Sequence, residues 1–352
     1  MSIEGRLGYL EVKGSHHDVG VQLGRFGAGI AHRHLTASHA WASVMAFRHD
    51  PRVAEMRRLV ETRFPAYWSE LQGLAEGLAL PFDDVFVWNC RGDFWALAPD
   101  GCTTVQIPGN EPVIAHNEDG DPGFRGHCAL AHVRPENGKA FTSFVYPASI
   151  PGHTFAANEA GLVQTVNNIR SRGAGAGLPR MILGRAVLDC GSLDEAIALL
   201  RTADRAGAFH FTLAQRGDTR LASVEFTHSS CSVELLRQPS CHSNHLIHRD
   251  TANERQVITP SSLSRQQRGD DIVNGFADSA DDPLAVLWDT GAASLPIYRA
   301  QPDDPDHENT LATAVFRLGA RSLDWQVYDR AGEPPRYRMD GGLTPAGSAS
   351  AF

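Results

Sequence analysis

The stretch "PDGCTTVQI", Pro99–Ile107, marks the point where the character of the chain changes. Ahead of it, the apolar residues of Pro51–Leu80 recur at helical spacing, and the preceding segment is rich in Ala. After it, short runs of strand formers are separated by Gly, Pro and Asn turns. The pair Gly101-Cys102 therefore stands at the start of the first predicted strand, directly behind a helical segment.

The order of predicted elements favours one fold class. Helices are followed by strands, two helices at residues 179–203, further strands, helices near residues 261–289, and a last hairpin. Regular alternation of strand and helix, which a doubly wound sheet requires, is absent from this order. We therefore predict an α+β fold, a four-layer αββα sandwich of two antiparallel sheets between helix layers.

Charge and composition exclude several function classes. The chain has 352 residues and a net charge of −9 with no long basic run, which disfavours nucleic acid as a partner. No apolar run is long enough to span a bilayer, and the N-terminus lacks the pattern of a secretory signal, so we expect a soluble cytoplasmic protein that does not bind membranes. Six scattered cysteines do not indicate a disulfide framework in that compartment. The sequence leaves the oligomeric state open, including a homo-oligomer.

Gly101-Cys102 could carry nucleophilic chemistry if the bond between the two residues were cut. Cys102 would then have a free α-amine, whose ordinary pKa of about 7.7–8.0 suits a general base, so one residue would supply both thiol and base. Gly101 has no side chain to obstruct attack of the thiol on its carbonyl. Taken alone, the stretch fits equally a turn followed by a buried structural cysteine.

The wider sequence resembles the acyl-coenzyme A:6-aminopenicillanic acid acyltransferase family of N-terminal-nucleophile (Ntn) hydrolases. The opening segment Glu11–Arg25 looks like the start of that family, and five later motifs follow in the family's order. They are Asp100-Gly101-Cys102-Thr103-Thr104, Asn117-Glu118-Asp119, Gly161–Asn168, Ser243-Asn244-His245, and Thr310-Leu311 with Tyr328-Asp329.

The resemblance implies self-cleavage at Gly101-Cys102, giving an α-subunit of residues 1–101 and a β-subunit of residues 102–352 that remain one structural unit. Cys102 would be the nucleophile, Asn244 an oxyanion-hole donor, and Asp119 a carboxylate beside the substrate amine or the Cys102 ammonium. An acyl-thioester on Cys102 would pass to water or to an amine. We also expect substrate contacts from neighbouring motif residues, namely Thr103, Thr104, Asn117, His245 and His307.

The segment that would bind the substrate departs from the family pattern. In the penicillin enzyme an arginine ahead of the Thr-Leu strand holds a carboxylate, whereas the aligned position here is about His307, amid Asp303, Asp304, Asp306 and Glu308. A carboxylate clamp requires a guanidinium fork, which an acidic segment does not offer. We expect a small substrate, with an amine or other cationic group, and not 6-aminopenicillanic acid.

Other interpretations compete with this one. His242, His245 and His248 stand three residues apart and would share a face if helical, but Ser243-Asn244 is a poor helix interior, so we predict no metal and no cofactor. Arg170, Arg172 and Arg180, in a Gly-rich loop, would meet an anionic group or simply be solvated. The chain could also be an unprocessed single-chain relative that binds a small molecule without catalysis.

Overall fold

Two β-sheets lie face to face in the structure, a computed structural model that describes residues 5–94, 101–276, 281–292, 294–301 and 307–346. The strands, in chain order, are β1 (Gly8–Gly14), β2 (Gly101–Ile107), β3 (Val113–Gly120), β4 (Ala129–Pro135), β5 (Phe141–Val145), β6 (Ala156–Asn158), β7 (Leu162–Asn168), β8 (Phe209–Gln215), β9 (Leu221–Phe226), β10 (Cys231–Leu235), β11 (Ser240–His242), β12 (Asn309–Leu318), β13 (Leu323–Tyr328) and β14 (Tyr337–Met339). In the described residues the first sheet has the order β1-β4-β5-β6-β7-β8-β9-β10, and the second has the order β11-β2-β3-β12-β13-β14.

Helices cover the outer face of each sheet. They are α1 (His16–Arg33), α2 (His39–Met45), α3 (Pro51–Arg63), α4 (Pro65–Leu78), α5 (Phe82–Trp88), α6 (Arg91–Phe94), α7 (Arg180–Val187), α8 (Leu193–Thr202), α9 (Pro260–Val273) and α10 (Leu284–Leu287). Helices α1 and α8 pack on the first sheet, while α9 and α10 pack on the second. The predicted four-layer αββα sandwich is confirmed.

Local sequence explains several helix boundaries. Pro51 occupies the first turn of α3, where its missing N–H costs nothing, and the side chain of Asp50 caps that turn by accepting from the Arg52 N–H. Pro65 begins α4 at the boundary that the sequence indicated. In the described ranges, no helix combines the length and apolar character that crossing a bilayer requires.

Strand β1 corrects one expectation. It precedes the helices of residues 16–94 and pairs with β4, with Tyr9 opposite Leu130. This pairing is parallel, so the first sheet is not purely antiparallel as predicted. The partner strand lies more than a hundred residues away, and such pairing leaves no local pattern. The segment ahead of Cys102 is thereby joined to the rest of the fold by backbone hydrogen bonds.

The register of β2 and β3 positions the chemistry. Cys102 lies opposite Glu118, and Gly101 lies opposite Asp119. Since side chains alternate between the two faces of a strand, Cys102, Thr104, His116 and Glu118 point into the space between the sheets. Bonds from Thr104 and Gln106 to the first sheet mark this inner face. The outer face, toward α9 and α10, carries the alternate residues Gly101, Thr103, Asn117 and Asp119.

Candidate active site

Cys102 is held in place through its backbone. It is the second residue of β2, and only 2% of its surface is exposed. Its N–H donates to Asn244 Oδ1 at 3.0 Å, and its carbonyl accepts from the Arg265 guanidinium. Asn244 and Arg265, which are both distant from Cys102 in sequence, therefore orient the residue expected to be the nucleophile.

Arg265 is a site residue that sequence reasoning missed. It projects from α9 with 1% of its surface exposed and donates to Thr103 Oγ1 at 2.9 Å and to Asn244 Oδ1 at 2.7 Å. Burial lowers the pKa of this guanidinium from its ordinary value. A signal was available, because the buried face of α9 is polar. That face carries Ser261, Ser262, Arg265, Gln266 and Gly269.

Asn244, expected to be an oxyanion-hole donor, lies in the turn after β11. Its Nδ2 donates to the Asn168 carbonyl at 3.0 Å, and its backbone N–H donates to Ser262 Oγ. An amide group has two N–H donors, so the bond to Asn168 uses one of them. The structure brings Asn244 to Cys102; the role as an oxyanion donor stays a prediction.

The inner face places an acid and an imidazole beside the Cys102 thiol. Glu118 Oε2 lies 4.0 Å from Cys102 Sγ and 3.1 Å from His116 Nε2. Thr104 Oγ1 lies 2.8 Å from His116 Nδ1, and burial lowers the pKa of His116 to about 3. The sequence motif had drawn attention to Asn117 and Asp119 but not to Glu118 between them.

The same cluster has the donor types of a metal site. In the described parts of the chain, Cys102, His116 and Glu118 form the one trio of His, Cys, Asp or Glu side chains whose ligand atoms all lie within 4.8 Å of one another. Both ring nitrogens of His116 already have hydrogen-bond partners in Thr104 and Glu118. The arrangement is therefore accounted for by hydrogen bonds, and we assign it no ion.

Asp119 lies on the outer face, beside the proposed junction. Its Oδ1 accepts from Thr310 Oγ1 at 2.7 Å, and its backbone carbonyl accepts from the Tyr146 hydroxyl. Its Oδ2 is buried and has no hydrogen-bond partner among the described residues. A buried carboxylate oxygen without a partner is costly, so this position is suited to receive an N–H donor.

Glu308 brings a second carboxylate to Gly101. A methyl group built on Gly101 would lie 2.2 Å from Glu308 Oε2. Arg299 donates to that oxygen at 2.8 Å, and Arg170 lies 3.5 Å from Oε1. Burial raises the pKa of Glu308 to about 7, against the opposing effect of the arginines.

These arginines correct one sequence expectation about the segment that would bind the substrate. The acidic segment around His307 was expected to offer no guanidinium group, yet Arg299, nine residues before Glu308, and the distant Arg170 both reach Glu308. Arg170 and Arg180 are buried, at 6% and 1% exposure, so they are not the solvated loop residues of the alternative interpretation. His307 itself is exposed, with a positive φ of 56°. Residues 302–306, with the other predicted acidic side chains, and Asp100 lie outside the described residues.

Four other predicted substrate contacts have local structural partners. Thr103 accepts from Arg265, and Thr104 is bonded to His116 and to Asn167 Oδ1 at 2.7 Å. Asn117 bonds Leu287 O at 2.6 Å and Thr313, on the face opposite the thiol. His245 Nδ1 lies 2.8 Å from Ser262 Oγ, and burial lowers its pKa to about 4. Substrate contact by these four residues stays a prediction.

The histidines spaced three residues apart, which could have formed a metal site on a helix, do not lie on a helix. His242 ends β11 and lies 2.8 Å from Glu225 Oε1, with its ring stacked on His210 at a centroid distance of 3.4 Å. His248 Nε2 lies 2.9 Å from Ser223 Oγ. The three-residue spacing thus serves a buried hydrogen-bond network, in which His242 Nε2, His245 Nδ1 and His248 Nε2 bond other side chains and His242 Nδ1 bonds the Ser243 carbonyl.

Comparisons with known proteins agree with the resemblance found in the sequence. The chain is 24% identical to beta-alanyl-dopamine/carcinine hydrolase of Drosophila melanogaster, over 94% of this chain and 95% of that protein. It is 27% identical to the 40 kDa form of acyl-coenzyme A:6-aminopenicillanic-acid-acyltransferase of Emericella nidulans, over 74% of this chain and 75% of that protein.

A solved structure was also matched, that of a single-residue variant of conjugated bile acid hydrolase from Clostridium perfringens. The TM-score is 0.44 and the identity 14%, over 68% of this chain and 92% of the other.

The family comparison covers most of the candidate site. The sequence model of the acyl-coenzyme A:6-aminopenicillanic acid acyltransferase family matches residues 107–331, which include Asp119, Asn244 and His307. The match begins after the Gly101-Cys102 junction. It spans more than half of the chain, and the chain therefore belongs to the acyl-coenzyme A:6-aminopenicillanic acid acyltransferase family.

Proposed function

We propose that this chain is a self-processing amidohydrolase that forms an acyl-thioester on Cys102. The observation that carries the proposal is the convergence on the Gly101-Cys102 junction of Asn244 and Arg265, which bond the Cys102 backbone, and Asp119, which lies opposite Gly101. A buried cysteine with a purely structural role would not require polar side chains to bond its backbone. Cleavage would divide the chain into residues 1–101 and 102–352, and the new α-amine would serve as base in turnover.

The surroundings of Gly101 support a class of substrate. In self-cleavage the acyl group that reaches the Cys102 sulfur is that of Gly101, so a substrate acyl group would occupy the same place. The Glu308 carboxylate and the Asp119 side chain border this place, and Asp119 Oδ2 lacks a hydrogen-bond partner among the described residues. We therefore propose small amides whose acyl group carries an amine.

The names of the relatives favour hydrolysis over transfer. The relative that matches 94% of this chain is named a hydrolase, and the β-alanyl group in its name bears an amine. The relative named an acyltransferase matches a smaller share of the chain. Water is accordingly the proposed acceptor, with an amine acceptor as the second outcome.

Two measurements test the proposal. Intact mass after expression should show two fragments that divide before Cys102, and Cys102→Ala should stay one chain without activity. A full-length mass that persists in the unsubstituted protein, together with no amide turnover, would support the unprocessed ligand-binding alternative instead.

Substrate class is tested with two amides of equal size. β-Alanyl-dopamine and butanoyl-dopamine differ at the end of the acyl group, by an amine in place of a methyl. We expect kcat/KM to favour the β-alanyl amide by about tenfold or more, as a charge-assisted bond of about 1.5–3 kcal/mol implies. Asp119→Asn should remove most of that preference. Equal kcat/KM for both amides would contradict the assignment.

A further inference from the structure

The α-amine of Cys102 cannot act as base in self-cleavage. Before the Gly101-Cys102 bond is cut, the nitrogen of Cys102 is a peptide N–H, which donates to Asn244 and has no basic lone pair. An ordinary thiol is only a few per cent ionised at neutral pH, so the first reaction of the chain needs another base. That base must reach the Cys102 sulfur in the uncut chain.

The hydrogen bonds of the inner face show where a proton lies. Asn167 Nδ2 donates to the His242 carbonyl, which can only accept, so Asn167 Oδ1 is an acceptor. The Thr104 hydroxyl therefore donates to Asn167 Oδ1, and its oxygen accepts from His116 Nδ1–H. A neutral His116 ring consequently presents the lone pair of Nε2 to Glu118.

This orientation fixes a proton between two side chains. Glu118 Oε2 and His116 Nε2 are 3.1 Å apart, and two bare lone pairs at that distance would repel. One proton must lie between them, on the acid or on the ring. The same Oε2 lies 4.0 Å from Cys102 Sγ, and all three side chains are at most 2% exposed.

We propose that Glu118 is the base that activates the Cys102 thiol for self-cleavage, and that His116 is a positioning residue that takes up the proton Glu118 already holds. The inference rests on the proposed self-processing. It concerns this one step, whereas the α-amine serves turnover afterwards. His116 acts through Glu118 in this proposal, because Glu118 Oε2 lies 4.0 Å from the sulfur and 3.1 Å from His116 Nε2.

Protons and bonds balance in this step. The Sγ–H proton passes to Glu118 Oε2 while the proton shared by the pair moves to His116 Nε2. The thiolate attacks the Gly101 carbonyl carbon, a C–S bond forms, and the C–N bond to Cys102 breaks as the pair returns a proton to that nitrogen. Water then hydrolyses the thioester, releasing the Gly101 carboxylate, the Cys102 thiol and one proton.

The experiment follows the cleavage of freshly made full-length chain. The protein is produced by cell-free translation, samples are denatured at timed intervals, and full-length chain and fragments are counted by mass. The chains compared are unsubstituted, Cys102→Ala, Glu118→Gln and His116→Gln. A matched control is Glu225→Gln, which alters another buried Glu–His pair, with Glu225 Oε1 2.8 Å from His242 Nε2.

The expected result has two parts. Glu118→Gln should slow cleavage at pH 7 by about 10²–10⁴, the usual contribution of general acid–base catalysis. Its remaining rate should rise about tenfold per pH unit between pH 6 and 8, because only the unaided thiolate is left to react. The unsubstituted chain and Glu225→Gln should share a shallower pH dependence, and His116→Gln should fall between.

Other outcomes would overturn the proposal. Cleavage of Glu118→Gln within about threefold of the unsubstituted rate, with the same pH profile, shows that Glu118 is not the base. Loss of cleavage at every pH in both Glu118→Gln and His116→Gln shows a structural role, because thiol ionisation does not restore a disordered site. If the unsubstituted chain itself stays whole, the proposed function fails and this inference fails with it, whereas failure of the Glu118 test alone leaves self-processing intact.

Discussion

Gly101→Ala tests how closely Glu308 approaches the proposed junction. A methyl group at this position would lie 2.2 Å from Glu308 Oε2, whereas ordinary contact begins at 3.4 Å. The carboxylate must therefore retreat by about 1.2 Å, the difference between 3.4 and 2.2 Å. Oε2 is the oxygen bonded to Arg299 at 2.8 Å, so the retreat weakens a buried ion pair.

The magnitude follows from two opposing effects. Overpacking of a filled site typically costs about 1–3 kcal/mol. Replacing glycine by alanine restricts the unfolded chain and returns about 0.4–1 kcal/mol. We expect Gly101→Ala to lower the free energy of unfolding by about 1–2 kcal/mol.

The assay is a double-mutant cycle measured by urea unfolding. Every chain carries Cys102→Ala, so that none is cleaved and all unfold as one molecule. Glu308→Ala removes the obstructing carboxylate, and we expect it to couple to Gly101→Ala by about 1–3 kcal/mol, in the sense that the double variant is more stable than the sum predicts. The matched control is Glu70→Ala on α4, which also breaks a buried pair, with Arg185, and should be additive.

Two results would refute this reasoning. Coupling to Glu308→Ala below about 0.5 kcal/mol would show that the carboxylate does not contact the junction. An increase in stability for Gly101→Ala alone would show that the site has room for a methyl group. In either case the acidic surroundings assigned to the acyl group would be wrong.

Three further predictions concern the fold and the site. Burial raises the pKa of Glu308 to about 7 from 4.5, so its stabilising contribution is present below pH 4.5 and is lost as the pH rises through 7. In Cys102→Ala chains, the stability of Glu308→Gln relative to its parent should therefore increase from pH 5 to pH 8 in urea unfolding, and an unchanged difference would contradict the shift. Gly73→Ala should destabilise the fold despite alanine's helix propensity, because the added methyl would lie 2.1 Å from the His17 carbonyl oxygen, whereas Gly29→Ala, which meets only a flexible arginine, should be neutral or stabilising. Arg265→Lys should slow self-cleavage, since an ammonium group cannot reproduce the guanidinium fork, and an unchanged rate in timed mass measurements would contradict that role.

Much of the fold was predictable because its signals are local. Pro51 and Pro65 bound their helices through the fixed φ and missing N–H of proline, which act within one turn. The strand that contains Cys102, which begins one residue earlier at Gly101, follows from the two threonines and the alternating run behind them. Asp119 and Asn244 were predicted as site residues because their motifs follow the order of the family, and the structure brings both to the junction.

The remaining features depend on pairing between distant segments. Strand β4, the parallel partner of β1, and Arg170, which lies beside Glu308, are each more than a hundred residues from the group they meet, so no spacing in the sequence connects them. Arg265 could have been suspected, because charged and polar residues recur on one face of its helix. Glu118 was hidden for another reason. Alternation along a strand shows that Glu118 and Asp119 face opposite ways, but only the register reveals which of them shares a face with the thiol.

Strand β3 therefore divides the candidate site into two chemical environments. Glu118 on the inner face contacts the sulfur and a proton held with His116, whereas Asp119 on the outer face borders the place of Gly101. Two carboxylates that are adjacent in sequence should consequently have separable effects. Glu118→Gln should change the pH dependence of self-cleavage, and Asp119→Asn should change the preference for amine-bearing amides. If both substitutions alter the same property to the same extent, the two faces are not chemically distinct. The separate roles assigned to Glu118 and Asp119 would then be wrong.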